Sequence, residues 1–126
     1  MPALTLAILS ERLAVARLSP DAEVPAWALR GTLVSTIRTA TELSVVAPAA
    51  AVPTDVKAER GWRALYVAGT LGFDLTGILA ALAVPLAEAG VSIFALSTYD
   101  TDYVLVRETQ LGATLRTLRA AGHTVS

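Results

Sequence analysis

The sequence of 126 residues has no cysteine, a single histidine (His123), a single lysine (Lys57) and a single methionine. Without cysteine there is no disulfide, no thiolate nucleophile and no soft ligand for a structural zinc ion. That composition suits a reducing compartment, and the cytoplasm is the expected location. No Lys/Arg block exists to neutralise a phosphate backbone, so nucleic acid is a poor partner. The longest apolar run, residues 78–87, is too short to cross a bilayer and contains Pro85. The N-terminal run MPALTLAILSERL lacks a basic start and reads as a strand, not a signal peptide. His123 stands near the terminus, where a surface or strand-end role is expected. No nucleophile has an evident base and orienting third group, so catalysis is not expected.

Apolar residues are plentiful instead, at 54%, against 17% charged and a net charge of -1. Disorder is excluded at that balance. So much apolar residue in so short a chain calls for a tight core or a buried partner surface. A homodimer is the expected solution, because a repeated patch can meet itself.

Alternating and continuous apolar runs predict strands over residues 4–9, 13–18, 33–39, 43–46, 62–68, 91–98 and 103–107, and a last short one at 123–125. Residues 91–98 are apolar on both faces, as a central strand is. Residues 25–29 read as one helical turn, and 54–59 as a short helix before Gly61. A 3.6-residue period predicts longer helices over 78–89 and 109–121, each followed by a glycine, Gly90 and Gly122. In the second of these, Leu111, Leu115 and Leu118 form the expected buried stripe. The second half therefore reads βαββαβ, with two helices on one face of a four-stranded antiparallel sheet. Residues 33–46 align without a gap to residues 93–106, placing Thr41 against Thr101 and Glu42 against Asp102. Two related halves follow, the first degenerate.

Three features are candidates for a binding site. The glycine-rich link 69–77 leads into a helix whose first N–H groups point outward, which favours a carboxylate or phosphate. Its spacing is not that of a dinucleotide or Walker loop. Thr76 or Asp74 serves equally well as a simple helix cap. The second feature is the break in VSIFALSTYDTDYVLV, residues 91–106. Asp100 is explained by Asx-turn chemistry. Asp102 stands where the strand pattern has resumed and Asp is disfavoured, and its carboxylate suits an ammonium or guanidinium group. Tyr99 and Tyr103 read equally as sheet packing. Glu42, with Thr39 and Thr41, is the third. Asp100 and Asp102 alone make no convincing metal or acid/base pair, and neither a metal nor a cofactor is expected.

The segments Glu42–Val46, Gly61–Arg63, 72–80, 85–94 and 97–106 together resemble small bacterial ACT-domain proteins. These are related to Castor-type arginine sensors and, more distantly, to the regulatory ACT domains of aspartate kinases. The resemblance implies an α+β fold of tandem ACT-like, ferredoxin-like modules, with residues 1–60 a degenerate module and 61–126 the second. It implies a non-catalytic regulatory protein binding a free amino acid where domains meet. Asp74, Thr76, Gly77 and Ile78 would meet the ligand's α-carboxylate and amine. Ser97, Thr98, Tyr99 and Asp102 would add contacts, with Asp102 facing a charged side chain. The sensors carry four modules and this chain about two, so the ligand does not transfer and a homodimer would restore four. The competing expectation is a protein-interaction module without a small ligand.

Overall fold

The computed structural model describes residues 3–69 and 76–126. In chain order the strands are β1 (Thr5–Ile8), β2 (Leu13–Leu18), β3 (Ser35–Arg38), β4 (Leu43–Pro48), β5 (Ala58–Val67), β6 (Ile93–Ser97), β7 (Asp102–Arg107) and β8 (Thr124–Val125). The helices are α1 (Ile78–Glu88) and α2 (Leu111–Ala120), and single 3-10 turns lie at Ala26–Ala28, Ala49–Ala51 and Glu108–Gln110. The chain divides into two units, Glu11–Trp62 and Met1–Ser10 with Arg63–Ser126. The first ten residues thus group with the C-terminal half, where the sequence places them in the first module.

In the unit Glu11–Trp62 the strand order is β3-β4-β2-β5. This is the order of a βαββαβ module, with 3-10 turns standing where the two helices would be. Its core face is Ala14, Ala16, Leu43, Val45 and Ala47, closed by Ala28 from the first 3-10 turn and by Val52 just after the second. The alanines keep that face shallow, so a turn's backbone can cover it without a helix's layer of long side chains. The expected helix at 54–59 is not formed: β5 begins at Ala58. A six-residue helix cannot nucleate alone, whereas here the backbone pairs at once, Arg17 N–H donating to the Lys57 carbonyl at 2.9 Å. The Arg60 guanidinium then fastens the preceding connector, donating to the carbonyls of Ala49, Val52 and Pro53. Between the pairs Leu13↔Trp62 and Val15↔Glu59 the register shifts by one residue. Gly61 sits in this bulge at φ 80°, a left-handed conformation that glycine adopts without strain.

In the other unit β1 lies between β5, antiparallel to it, and β8, parallel to it, while β7 pairs with both β5 and β6. Both helices cover one face. Leu6, Leu65, Val67, Val104 and Val106 from the sheet meet Ile78, Ala81, Leu82, Leu86 and Leu118 from the helices. Each fully buried leucine contributes about 1.5–3 kcal/mol. Leu118 is buried as expected, but Leu111 and Leu115 are only half-buried at the core margin. The fully buried partner on α2 is Thr114, whose hydroxyl donates to the Gln110 carbonyl at 2.8 Å and so enters the apolar layer satisfied. Among the described residues β6 pairs with β7 alone, so it is an edge strand and not the central one its apolar pattern suggests.

The two strand pairs β3–β4 and β6–β7 share a register. Ser35↔Val46 corresponds to Phe94↔Leu105, and Arg38↔Leu43 to Ser97↔Asp102. Leu43 is therefore the counterpart of Asp102, and Glu42 that of Thr101. The gapless alignment is one residue out, and a slip of one residue turns every side chain to the opposite face.

His123 is buried, at 6% exposure, and not a surface residue. Its Nδ1 accepts the Leu4 N–H at 3.1 Å, which fixes the ring proton on Nε2. Nε2 then donates to the Ala81 carbonyl at 2.9 Å. That carbonyl is the one Pro85 leaves without a helical donor, because proline has no N–H to return to the residue four before it.

Candidate functional site

The turn between β6 and β7 is built from threonine. Thr98 N–H donates to the Thr101 carbonyl at 2.8 Å, and the Thr98 hydroxyl accepts the Thr101 N–H at 3.2 Å. No hydrogen bond of Asp100 is found among the described residues, so the expected Asx-turn is replaced by a threonine-closed one. The Thr101 side chain is buried, and its hydroxyl donates to the Val67 carbonyl at 2.6 Å. This bond pins the turn to the last residue of β5, from which the chain runs on toward α1.

Asp102 opens β7 on the same side as Val104 and Val106, which belong to the core beneath the helices. Ser97 lies directly opposite it on β6, and its hydroxyl donates to the Asp102 Oδ1 at 2.7 Å. Ser97 and Asp102 thus form a polar pair at the sheet's end, on the helix-covered side. Tyr99 projects outward from the turn, 78% exposed. Tyr103 turns to the other face and stacks with Tyr66 at a centroid distance of 5.3 Å, which is sheet packing.

α1 begins at Ile78. Gly77 occupies its N-cap at φ 77°, and having no side chain it leaves the first turn without the cap expected from Thr76. Thr76 is exposed and stands one residue outside the cap. The first helical bond runs from Ala81 N–H to the Gly77 carbonyl at 2.9 Å. The N–H groups of Ile78, Leu79 and Ala80 therefore have no carbonyl within the helix. The Ile78 side chain is in the core, so only its backbone N–H is left to bond outside the helix. Asp74 lies outside the described residues. Of the expected residues, Ser97, Thr98 and Asp102 are brought together at the end of β5, and Tyr99 extends beyond them. Sequence reasoning missed the pinning role of Thr101. Its signal was a hydroxyl between two aspartates.

Among the described residues no group of three or more His, Cys, Asp or Glu side chains is placed to hold a metal ion. No helix among them is long and apolar enough to cross a membrane.

A family model described as ACT domain matches residues 57–120, and a second, describing an N-terminal domain, matches residues 11–55. The chain belongs to the ACT domain family. Cytosolic arginine sensor for mTORC1 subunit 1, from Bos taurus and from Homo sapiens, is 41% identical to this ACT-domain chain over 59 residues. The match covers 46% of the chain and 18% of each sensor, so the ACT-domain chain matches less than a fifth of those relatives' length. An X-ray structure from Agrobacterium tumefaciens is 40% identical, with a TM-score of 0.95, covering 100% of this chain and 94% of that one. The ligand-free regulatory subunit of aspartate kinase from Thermus thermophilus is 16% identical, with a TM-score of 0.63 over 95% of this chain and 99% of its own. That last likeness is one of fold: an α+β architecture with an antiparallel-rich sheet and two helices.

Proposed function

We propose that this ACT-domain protein is a non-catalytic regulatory module that binds a free amino acid at the end of β5. The observation that carries the reading is the bond from the Thr101 hydroxyl to the Val67 carbonyl. It fixes Ser97, Thr98 and Asp102 at the point where the chain leaves the sheet for α1. On this reading the link, from Asp74 through Thr76 and Gly77 to the Ile78 N–H, takes the ligand's α-carboxylate and amine. Asp102, held in place by the Ser97 hydroxyl, takes a cationic side chain, and Tyr99 covers the outer edge. The module works in the cytoplasm as a homodimer, and ligand binding favours one packing of modules over another. Such a shift requires different affinity in two states. The arginine-sensing named for its relative supports an amino acid as the ligand class.

The test is a thermal-shift screen against the common amino acids, followed by calorimetry. A hit is expected at or below about 1 mM. For a cationic amino acid, Asp102→Asn should weaken binding by more than about tenfold, or roughly 1.4 kcal/mol. Unchanged affinity in that variant would remove Asp102 from the site. A second reading, a protein-interaction module without a small ligand, is favoured by one observation: α1 exposes Leu79 and Val84 on its outer face. Failure of every amino acid in the screen would leave that reading in its place.

A further inference from the structure

The unit Glu11–Trp62 has a groove where its two 3-10 turns meet. It is a cavity of about 470 Å³, lined by Ala26, Trp27, Leu29 and Arg30 from the first turn and its exit, and by Ala51 from the second. Both walls are fixed by bonds within the unit. The Leu29 N–H donates to the Ala26 carbonyl at 3.2 Å and closes the first turn. Just beyond, Gly31 lies so close to the Pro48 ring that a Cβ has no room there. Thr32 then donates its N–H and its hydroxyl to Glu11 Oε1, at 3.0 and 2.7 Å. Arg30 therefore stands on a loop anchored on both sides. In the second wall the Ala49 carbonyl accepts the Val52 N–H at 3.3 Å and a bond from the Arg60 guanidinium.

The lining offers donors and apolar surface. Leu29 is 63% exposed, and Trp27 is half-buried against the unit's core. Among the described residues neither the Arg30 guanidinium nor the Trp27 indole N–H has a hydrogen-bond or ion-pair partner. None of the five lining residues carries a carboxylate, and the turn carbonyls of Ala26 and Ala49 already accept N–H groups. An ammonium group would meet the like charge of Arg30 and no carboxylate. A carboxylate would meet a cation with donors to spare. A bare inorganic anion would leave Trp27 and Leu29 in water, whereas an apolar acid covers them as well. The volume falls within the roughly 300–1,000 Å³ of small-molecule sites, whose walls are mostly apolar with a few polar groups. We propose that this groove binds a small apolar carboxylate without an amino group, an aryl or branched-acyl acid. Its apolar body lies against Trp27 and Leu29 and its carboxylate toward Arg30. The site is separate from the one at the end of β5 and differs from it in ligand class.

The experiment is a nitrogen-15 titration of the full chain with 3-phenylpropionate and with 4-methylpentanoate, each to about 10 mM. Saturable shifts are expected at the Trp27 indole N–H and at the Leu29 and Arg30 amides with at least one of the two acids. L-Phenylalanine has the same ring and carboxylate as the first acid but adds an ammonium group, and should bind at least about threefold more weakly. Sodium acetate, which lacks the apolar body, should give no saturable shift at these positions. Arg30→Gln changes an exposed residue and should weaken binding at least about threefold, with the rest of the spectrum unchanged. Absence of saturable shifts with both acids would overturn the proposal. So would equal binding of L-phenylalanine, saturable shifts with acetate, or an unaltered affinity in Arg30→Gln. Shifts at Ser97, Thr98 and Asp102 report the site at the end of β5 independently.

Discussion

At the scale of single residues, His123 and Pro85 are one device split across the chain. Proline inside a helix removes a donor and frees a carbonyl, at a cost of about 3 kcal/mol when nothing compensates. Here the His123 Nε2–H takes the Ala81 carbonyl, and Nδ1 takes the Leu4 N–H at the same time. His123→Leu leaves both backbone groups buried and unbonded, and is expected to lower stability to urea by about 2–4 kcal/mol. In a Pro85→Ala background the helix supplies its own donor to Ala81, so His123→Leu should cost about 1 kcal/mol less. A double-mutant cycle by urea unfolding measures this coupling, and strictly additive effects would sink the account. The sequence offered the histidine only as a lone residue near the end. Its partners are a strand at the other terminus and a helix far back in the chain, so no local pattern could announce them. Asp102 was different. It stood out because it falls where the strand pattern has resumed, and the structure shows the Ser97 hydroxyl donating to its carboxylate.

At the scale of elements, β5 shows where reading by pattern stops. Residues 54–59 satisfy the composition of a short helix, but tertiary pairing along β2 overrides a propensity too weak to nucleate. The bulge at Gly61 also hides the register, because Glu59 and Trp62 both pair with positions on one side of β2 across an uneven spacing. No Cβ contact opposes a side chain at Gly61, so the demand there is on backbone conformation alone. Gly61→Val is expected to destabilise by about 1–2 kcal/mol, the cost of holding a branched L-residue at positive φ. Gly61→Asn should cost less, since asparagine tolerates that region. Thermal unfolding of the pair checks the order, and equal melting temperatures would place the strain elsewhere. The internal repeat teaches the same lesson. Its apolar phase was visible, but alternation tolerates a slip of one residue, and only the paired registers show that Leu43, not Glu42, stands where Asp102 does.

At the scale of the whole chain, the βαββαβ order of the second half was legible because helix and strand periods differ and each helix ends at a glycine. The placement of β1 beside β8, and of β6 at an edge, was not. A strand's neighbours are chosen by long-range pairing, and an apolar run reads the same at the centre of a sheet as at its border. The edge position sharpens the expectation of a dimer. An apolar edge strand is a template for pairing unless it is covered. Val84 on α1 and Ile37 on β3 are 44% and 52% exposed in the single chain, and with a net charge of -1 little repulsion keeps copies apart. Light scattering on the eluting peak of a sizing column should give twice the 13.1 kDa of one chain. Val84→Glu places a charge on the outer face of α1 without touching the core. If α1 forms the dimer contact, this variant should elute as a monomer with an unchanged circular dichroism spectrum. A wild-type monomer would refute the dimer, and a Val84→Glu dimer would move the contact to the edge strands, where Ile37→Lys is the corresponding test.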